Sequence, residues 1–362
     1  MIDFEPTEEQ AMIRETVAGF AANEIRPQAR ECDESRVPHP GLLAAADELG
    51  LVANSLPEEH GGGGELSAVT GCLIAEELAW GDLALGLGVL SPSLLGIPVA
   101  LYGTPDQQRD LLPEVIEHGP AAGSLAWVEP AFDFDPHRPR TVAERDGGDY
   151  VLRGHKCFVP WPQGLRRVIV VASEQDTLSA FLVDADAAGL TAETEDNMGI
   201  RALPTAELQL DGVRVAASAR LGGEQGADLT ALLSRARTGL AACAVGVARA
   251  AYEVSLTYAK EREAFGAPIA TKQAIAFKLA DMATEIDGAR MLAWESAWRI
   301  DAGLDASRES TLALSKAQRT AMLVADGAVQ VFGGHGYTRE YLPEMHLRNA
   351  RGFASFEALT FV

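Results

Sequence analysis

Apolar positions along the first third of the chain recur at helical spacing. Thr7 to Gln10 has the form of a capping box, and Met12, Ile13, Val17, Phe20 and Ile25 follow it at intervals of a helical face. A second helix is predicted over Leu42 to Leu49, halted by Gly50. Pro57 to Gly64 is a loop with four consecutive glycines and no Lys-Ser/Thr after it, so it reads as a connector rather than a phosphate loop. Helical patterning resumes near Ser67. Leu83 to Leu101 is apolar enough to suggest a membrane span, but Gly86, Gly88, Pro92, Gly96 and Pro98 interrupt it, which predicts a buried helix pair instead. Thr104-Pro105-Asp106-Gln107 opens another capped helix. Near Gly123 the pattern changes to short runs rich in β-branched and apolar residues: 124–129, 141–145, 150–159, 167–172, 178–183 and 207–215, separated by turn signals such as Asp146-Gly147-Gly148. After Gly226 helical spacing returns, with an alanine-rich run to Lys260. A stripe Ile275, Leu279, Met282, Ile286, Ala289, Ala293 follows, then a last long helix from about Ser307 carrying Ala313, Ala317, Ala321, Val324, Ala328 and Val331. The expectation is an α+β chain in three parts: helical over 1–122, a small antiparallel β domain over 123–222, and a helical bundle over 223–362.

Two stretches carry candidate chemistry. Tyr258 to Gln273, YAKEREAFGAPIATKQ, is a helix end, a non-helical break at Phe265-Gly266 and a new helix, so Arg262, Phe265 and Gln273 leave one short corner. A guanidinium there is suited to a pyrophosphate, because its planar fork holds two oxygens at once. Taken alone, a helix corner with a solvated arginine is the simpler reading. Ala328 to Tyr337, AVQVFGGHGY, runs a helix into Gly333, Gly334 and Gly336, whose backbone permits close approach of an anion.

Together these stretches resemble the acyl-CoA dehydrogenase family, and the resemblance covers nearly the whole chain. It extends over Thr7-Glu8-Glu9-Gln10, Pro57-Glu58-Glu59 with Gly61 and Gly62, Tyr102-Gly103-Thr104, Glu129-Pro130, Gly154-His155-Lys156 and Phe356-Glu357. It implies an N-terminal helical domain, a middle antiparallel β domain and a C-terminal four-helix bundle. It also implies FAD as cofactor, an acyl-CoA substrate and an electron-transfer flavoprotein as electron acceptor. By resemblance, Arg262, Phe265, Gln273, Gln330, Gly333 and Gly334 reach across an interface of a homo- or hetero-oligomer, a dimer of dimers, to the ADP part of a neighbour's FAD.

The same resemblance implies α,β-desaturation of the thioester, with a carboxylate removing the α-proton and flavin taking the β-hydride. Glu357, after Phe356, matches the base of an aromatic-Glu-Gly-Thr motif, although Ala358-Leu359 stand where the family has Gly-Thr. Some relatives carry the base just before an arginine of the bundle; here that arginine is Arg237, a candidate substrate contact, and the position before it is Ala236. The alternative for Glu357 is a solvated glutamate near a frayed end. On the flavin-facing side Trp127, Val128 and Phe158 are the candidate cofactor contacts. Val128, Phe134 and Pro160 replace residues that carry hydroxyls in the family, and Trp127 and Trp161 either stack on a flavin or fill the core. The second hypothesis is therefore a flavin-poor subunit that lends Arg262, Gly333 and Gly334 to a partner's FAD.

Composition narrows the partners. With 30 Lys and Arg against 52 Asp and Glu, the formal net charge of -22 argues against nucleic acid and anionic membrane surfaces. The apolar share of 47% is that of an ordinary globular protein. Cys32, Cys72, Cys157 and Cys243 form no CxxC, and Met1 to Phe4 show no signal-peptide pattern, so a cytoplasmic chain without a membrane span is expected.

Overall fold

The computed structural model describes residues 5–51, 53–64 and 66–362. The Thr7 hydroxyl accepts from the Gln10 N–H and the Gln10 carboxamide accepts from the Thr7 N–H, which starts α1 (Glu8–Phe20) where the sequence predicts it. Its buried face is Val17 and Phe20 with Ile13 half-buried. Met12 is 69% exposed, one position off that stripe, and does not join it as expected. Next come α2 (Ala29–Ser35), α3 (Leu42–Glu48), α4 (Ala68–Gly81), α5 (Leu83–Leu90), α6 (Ser93–Tyr102) and α7 (Pro105–His118), the last capped by Thr104. The predicted helix pair is α5 and α6. The stretch Leu83–Tyr102 and the later helix Leu229–Glu261 are long and apolar enough to cross a membrane by composition, and 83% and 72% of those windows lie buried inside the molecule.

The middle of the chain forms seven strands: β1 (Ser124–Ala126), β2 (Val142–Asp146), β3 (Asp149–Pro160), β4 (Arg167–Glu174), β5 (Thr177–Asp184), β6 (Leu190–Thr194) and β7 (Thr205–Ala216). The order is β1-β4-β2-β3-β7-β6, with β5 on the other side of β4. The sheet is mixed, not antiparallel throughout: β4 runs parallel to both β1 and β2. β4 comes after both of its parallel partners with other strands between them, since parallel neighbours cannot be joined by a tight turn. β6, LTAET, was not anticipated; it is an edge strand whose side chains are mostly exposed, so it has no apolar alternation to read.

The rest is a bundle of α8 (Leu229–Glu261), α9 (Gln273–Asp301), α10 (Ser307–Phe332) and the shorter α11 (Pro343–Arg351), with a small hairpin β8 (Glu263–Ala264) and β9 (Ala267–Pro268) between α8 and α9. Ala313, Ala317, Ala321, Val324 and Ala328 of α10 and Ala241, Ala244, Ala248 and Ala251 of α8 are buried, and such small side chains let helix backbones approach closely.

α11 lies where all three parts meet. The Arg348 guanidinium donates to Asp33 at 2.8 and 2.6 Å, to the Met198 carbonyl at 3.1 Å and to Glu344 at 2.8 Å. The neighbouring Asn349 accepts from the Ile200 N–H at 2.8 Å and donates to Asp82 at 3.2 Å. Burial pushes the Asp82 carboxyl up to about 6, with Asp33 adding to the rise and the Leu85 N–H and Asn349 pulling against it. A carboxyl whose folded pKa lies above its unfolded value loses stability as pH rises between the two, here from 3.8 to about 6. Asp82→Asn keeps the cap of α5 through its one carbonyl oxygen and has no charge to bury, but it gives up the bond from Asn349, whose NH2 then meets a second NH2. We expect it to be more stable than the native chain at pH 7.5, by about 3 kcal/mol at most, and to lose that advantage near pH 4. Urea denaturation at the two pH values measures this.

Candidate active site and cofactor surface

The α8–α9 corner is a two-residue hairpin. Phe265 and Gly266 occupy its turn at φ 55° and 74°, the left-handed conformation at both positions that a type I′ turn requires. The Ile269 N–H donates to the Arg262 carbonyl at 2.8 Å and ties the corner down. Phe265 is 98% exposed, and its ring projects into solvent. Arg262 and Gln273 are exposed too, and the Arg262 guanidinium has no ion-pair or hydrogen-bond partner among the described residues.

At the same end of the bundle, α10 stops at Gly333, whose φ of 58° ends the helix, and Gln330, Gly333 and Gly334 are exposed. An aromatic cluster fixes one motif against the other. Tyr258, one turn before Arg262, stacks on Phe332 at 3.9 Å between centroids, and its hydroxyl lies 2.9 Å from His335 Nδ1. His335 stacks in turn on Tyr341 at 5.2 Å. The six residues singled out in the sequence thus form one exposed surface at one end of the bundle. The aromatic links beneath them gave no signal in the sequence.

Glu357 sits elsewhere, between α8, α10 and β3. Arg237 of α8 donates to both of its oxygens, each at 3.1 Å, and also to the Thr311 hydroxyl of α10 at 3.0 Å. This two-pronged pairing fixes the plane of the carboxylate as well as its distance. The Glu357 side chain is 24% exposed, at a rim rather than in bulk water. Arg237 therefore holds the candidate base, which is a more specific placement than the substrate contact expected of it. Ala236 is buried. Phe356 is buried and meets Phe158 of β3 edge-on, with centroids 5.9 Å apart. The frayed end is corrected: Ala358 to Val362 are all buried, at 4% exposure or less.

On the sheet, Trp127 is 1% exposed and its indole N–H donates to the Pro136 carbonyl at 2.9 Å. It fills the core and offers no ring face to a ligand, which corrects its place among the cofactor contacts. The half-buried Val128 accepts from the Cys157 N–H through its carbonyl. Phe158, at φ 54° in a bulge of β3, donates its N–H to both oxygens of Glu195 at 3.0 and 3.1 Å. The loop from β1 is anchored by a buried pair missed in the sequence, although Glu129-Pro130 and Gly154-His155-Lys156 are part of the resemblance. Lys156 donates to Glu129 at 2.9 Å and to the Trp127 carbonyl at 3.0 Å, while Glu129 also accepts from the Arg140 and Thr141 N–H groups. Burial drives the Lys156 pKa down to about 8 against the pull of Glu129. The same burial pushes the Glu129 carboxyl up, but Lys156 and Thr141 outweigh it and hold it below its ordinary value.

The chain matches the acyl-CoA dehydrogenase N-terminal domain over residues 7–118, the middle domain over 124–213 and the C-terminal domain over 226–357. A probable acyl-CoA dehydrogenase of Bacillus subtilis is 38% identical over 360 residues, 97% of this chain and 94% of its own. A glutaryl-CoA dehydrogenase from Mycobacterium smegmatis, solved in complex with FADH2, superposes with a TM-score of 0.88 at 30% identity, covering 98% of this chain and 92% of its own. A chain in a structure of the electron transferring flavoprotein of Acidaminococcus fermentans superposes with a TM-score of 0.89 at 33% identity, covering 99% and 96%. The chain belongs to the acyl-CoA dehydrogenase family of flavin-dependent oxidoreductases.

The residues present fit one half of FAD and not the other. The exposed Arg262 guanidinium and the open Gly333-Gly334 backbone suit a pyrophosphate, and the exposed Phe265 ring suits a flat heterocycle. The sheet side, to which the resemblance assigns the flavin ring, is poor in donors. The side chains of Val128, Phe134, Phe158 and Pro160 carry no hydrogen-bonding group, the N–H groups of Phe134 and Phe158 go to Ala131 and Glu195, and Pro160 has none. We expect Lys156→Met to destabilise the chain by about 3–5 kcal/mol, because it leaves the Glu129 charge buried and unpaired. Adding Glu129→Gln removes the buried charge but sets an amide NH2 against the Arg140 or Thr141 N–H, so it should recover only part of that loss, as thermal or urea unfolding of the two variants will show.

Proposed function

We propose that the chain is a subunit of an oligomeric acyl-CoA dehydrogenase in which Glu357 removes the α-proton of an acyl-CoA thioester. The observation that carries this reading is the two-pronged Arg237–Glu357 pair, which holds a carboxylate at a rim beside an apolar interior. FAD, when bound, supplies the acceptor for the hydride from the β-carbon. Arg262, Phe265, Gln273, Gln330, Gly333 and Gly334 hold the ADP part of a neighbouring subunit's FAD in a dimer of dimers. Their joint exposure at one end of the bundle supports that assignment. An electron-transfer flavoprotein reoxidises the flavin, a role supported by the likeness to the Acidaminococcus chain. The four cysteines are free and buried, which suits a reducing compartment such as the cytoplasm.

A second reading is favoured by the donor-poor sheet side: a flavin-poor subunit that completes the FAD site of a related chain. The flavin-to-chain ratio of the dialysed protein separates the two. A full complement supports the self-sufficient enzyme, and clearly less than one FAD per chain, restored by co-expression with a related dehydrogenase chain, supports the lending subunit.

Two substitutions test the residues. Arg262→Ala removes a charge-assisted contact and should weaken FAD binding in the assembled protein by about 2–3 kcal/mol, read by fluorescence titration. An unchanged affinity excludes the role. Glu357→Gln should leave FAD bound and nearly abolish bleaching of the flavin band by an acyl-CoA under anaerobic conditions; bleaching at the native rate contradicts it.

A further inference from the structure

Directly after Glu357 the chain enters the protein interior as an irregular segment, Ala358–Val362, with no helix or strand. Its side chains divide between two cores. Ala358 and Phe361 belong to the cluster that includes Leu94, Leu95, Leu233 and Ala236, while Leu359 and Val362 belong to the one formed by α4, α8 and the rest of the bundle. Irregular backbone is rarely buried, because its polar groups then lack partners. Among the described residues only two hydrogen bonds tie this backbone to other parts of the chain. The Phe361 N–H donates to the Ser93 hydroxyl at 3.2 Å, and Arg235 donates to the Val362 carbonyl at 2.6 Å. Beside the segment lies a cavity of about 50 Å3, lined by apolar side chains such as Ile74, Val89 and Phe361 together with the polar Ser67, Thr70 and Ser93.

The walls are shaped to this segment by glycines in the middle of helices. A Cβ at Gly71 of α4 would come within 2.8 Å of Val362, and its three nearest atoms all belong to that residue. The three atoms nearest to a Cβ at Gly239 of α8 belong to Val362, Thr360 and Phe361, the closest at 3.0 Å. Glycine costs helix stability at such positions, so its presence leaves room for what lies against it.

We propose that Ala358–Val362 is an intramolecular stand-in for the acyl chain: it fills the apolar chamber behind Glu357 and leaves it when an acyl thioester binds. This rests on the reading of Glu357 as the carboxylate that addresses the thioester. A thioester with a long acyl chain is a polar head on an apolar tail, and a carboxylate at the rim with an apolar chamber behind it matches that chemistry. Apolar contacts carry most of the segment's attachment, and its under-bonded buried backbone opposes it, so a ligand with no backbone to satisfy competes on favourable terms. The apparent affinity of the chamber is then lowered by the fraction of molecules in which the segment is docked.

Amide hydrogen exchange with octanoyl-CoA as the probe, and free CoA as the control without a chain, tests the exchange of occupants. On the full native chain we expect octanoyl-CoA to raise deuterium uptake in 358–362 and free CoA to leave it unchanged. Gly71→Ala and Gly239→Ala should raise uptake there without ligand and tighten octanoyl-CoA binding by about tenfold. Three results each overturn the proposal: bound octanoyl-CoA that leaves uptake in the segment unchanged or lower, variants that release the segment with unaltered affinity, or a released segment with no binding of octanoyl-CoA. If neither glycine variant folds, the native chain with octanoyl-CoA decides alone. A failure of Glu357 as base shows in flavin bleaching and leaves the exchange result standing.

Discussion

The placement of every candidate catalytic group depends on how α11 is held. Its position is set by one arginine and one asparagine in sequence. Arg348 gathers Asp33, Glu344 and the Met198 carbonyl, and Asn349 bridges Asp82 to the Ile200 N–H. Groups from the N-terminal helices, the sheet and the bundle converge there in a low-dielectric setting, where a satisfied polar network gives one arrangement a large advantage over its neighbours. From that fixed helix the chain turns through Phe353, whose carbonyl accepts from Gln318 at 2.7 Å, to Phe356 against Phe158, and so delivers Glu357 to Arg237. The carboxylate is thus positioned by long-range contacts on both sides, although its own segment has no regular structure.

The two ends of the site are built on different principles. Around Glu357 the polar groups are paired within the chain and the apolar groups are covered. At the far end of the bundle a guanidinium with no partner among the described residues, a 98% exposed phenylalanine and an open glycine turn are left without internal satisfaction, while the aromatic cluster of Tyr258, Phe332, His335 and Tyr341 beneath them is tightly made. A rigid base under an unsatisfied surface is the arrangement expected of a preorganised binding face. With a formal net charge of -22, two copies repel at long range, so association at this face depends on local complementarity rather than on overall charge.

Much of the fold was legible in the sequence because local rules and tertiary structure agree there. Thr7 and Thr104 cap where capping boxes stand, the alanine positions of α10 lie in the seam, and Leu83–Tyr102 breaks into two helices at Ser91-Pro92, while Gly86, Gly88, Gly96 and Pro98 are carried inside them. Where they disagree, packing decided. Met12 points outward although Val17 and Phe20 of the same predicted stripe are buried, Trp127 spends its N–H on Pro136 inside the core, and β4 takes parallel partners that no strand pattern encodes. Ala358–Val362 has no periodicity, and its burial is determined by glycines far away in α4 and α8. The pairing of Glu129 with Lys156 was invisible for the same reason: the register of β3 against the loop after β1 creates it.

The most direct test of the account is α-proton exchange on a thioester that cannot be oxidised further. A 3-thia-acyl-CoA incubated with the FAD-loaded protein in deuterium oxide reports proton abstraction alone, read by mass spectrometry. The account predicts that deuterium enters the α-position with the native protein and is nearly absent with Glu357→Gln. Equal incorporation by both proteins would contradict it.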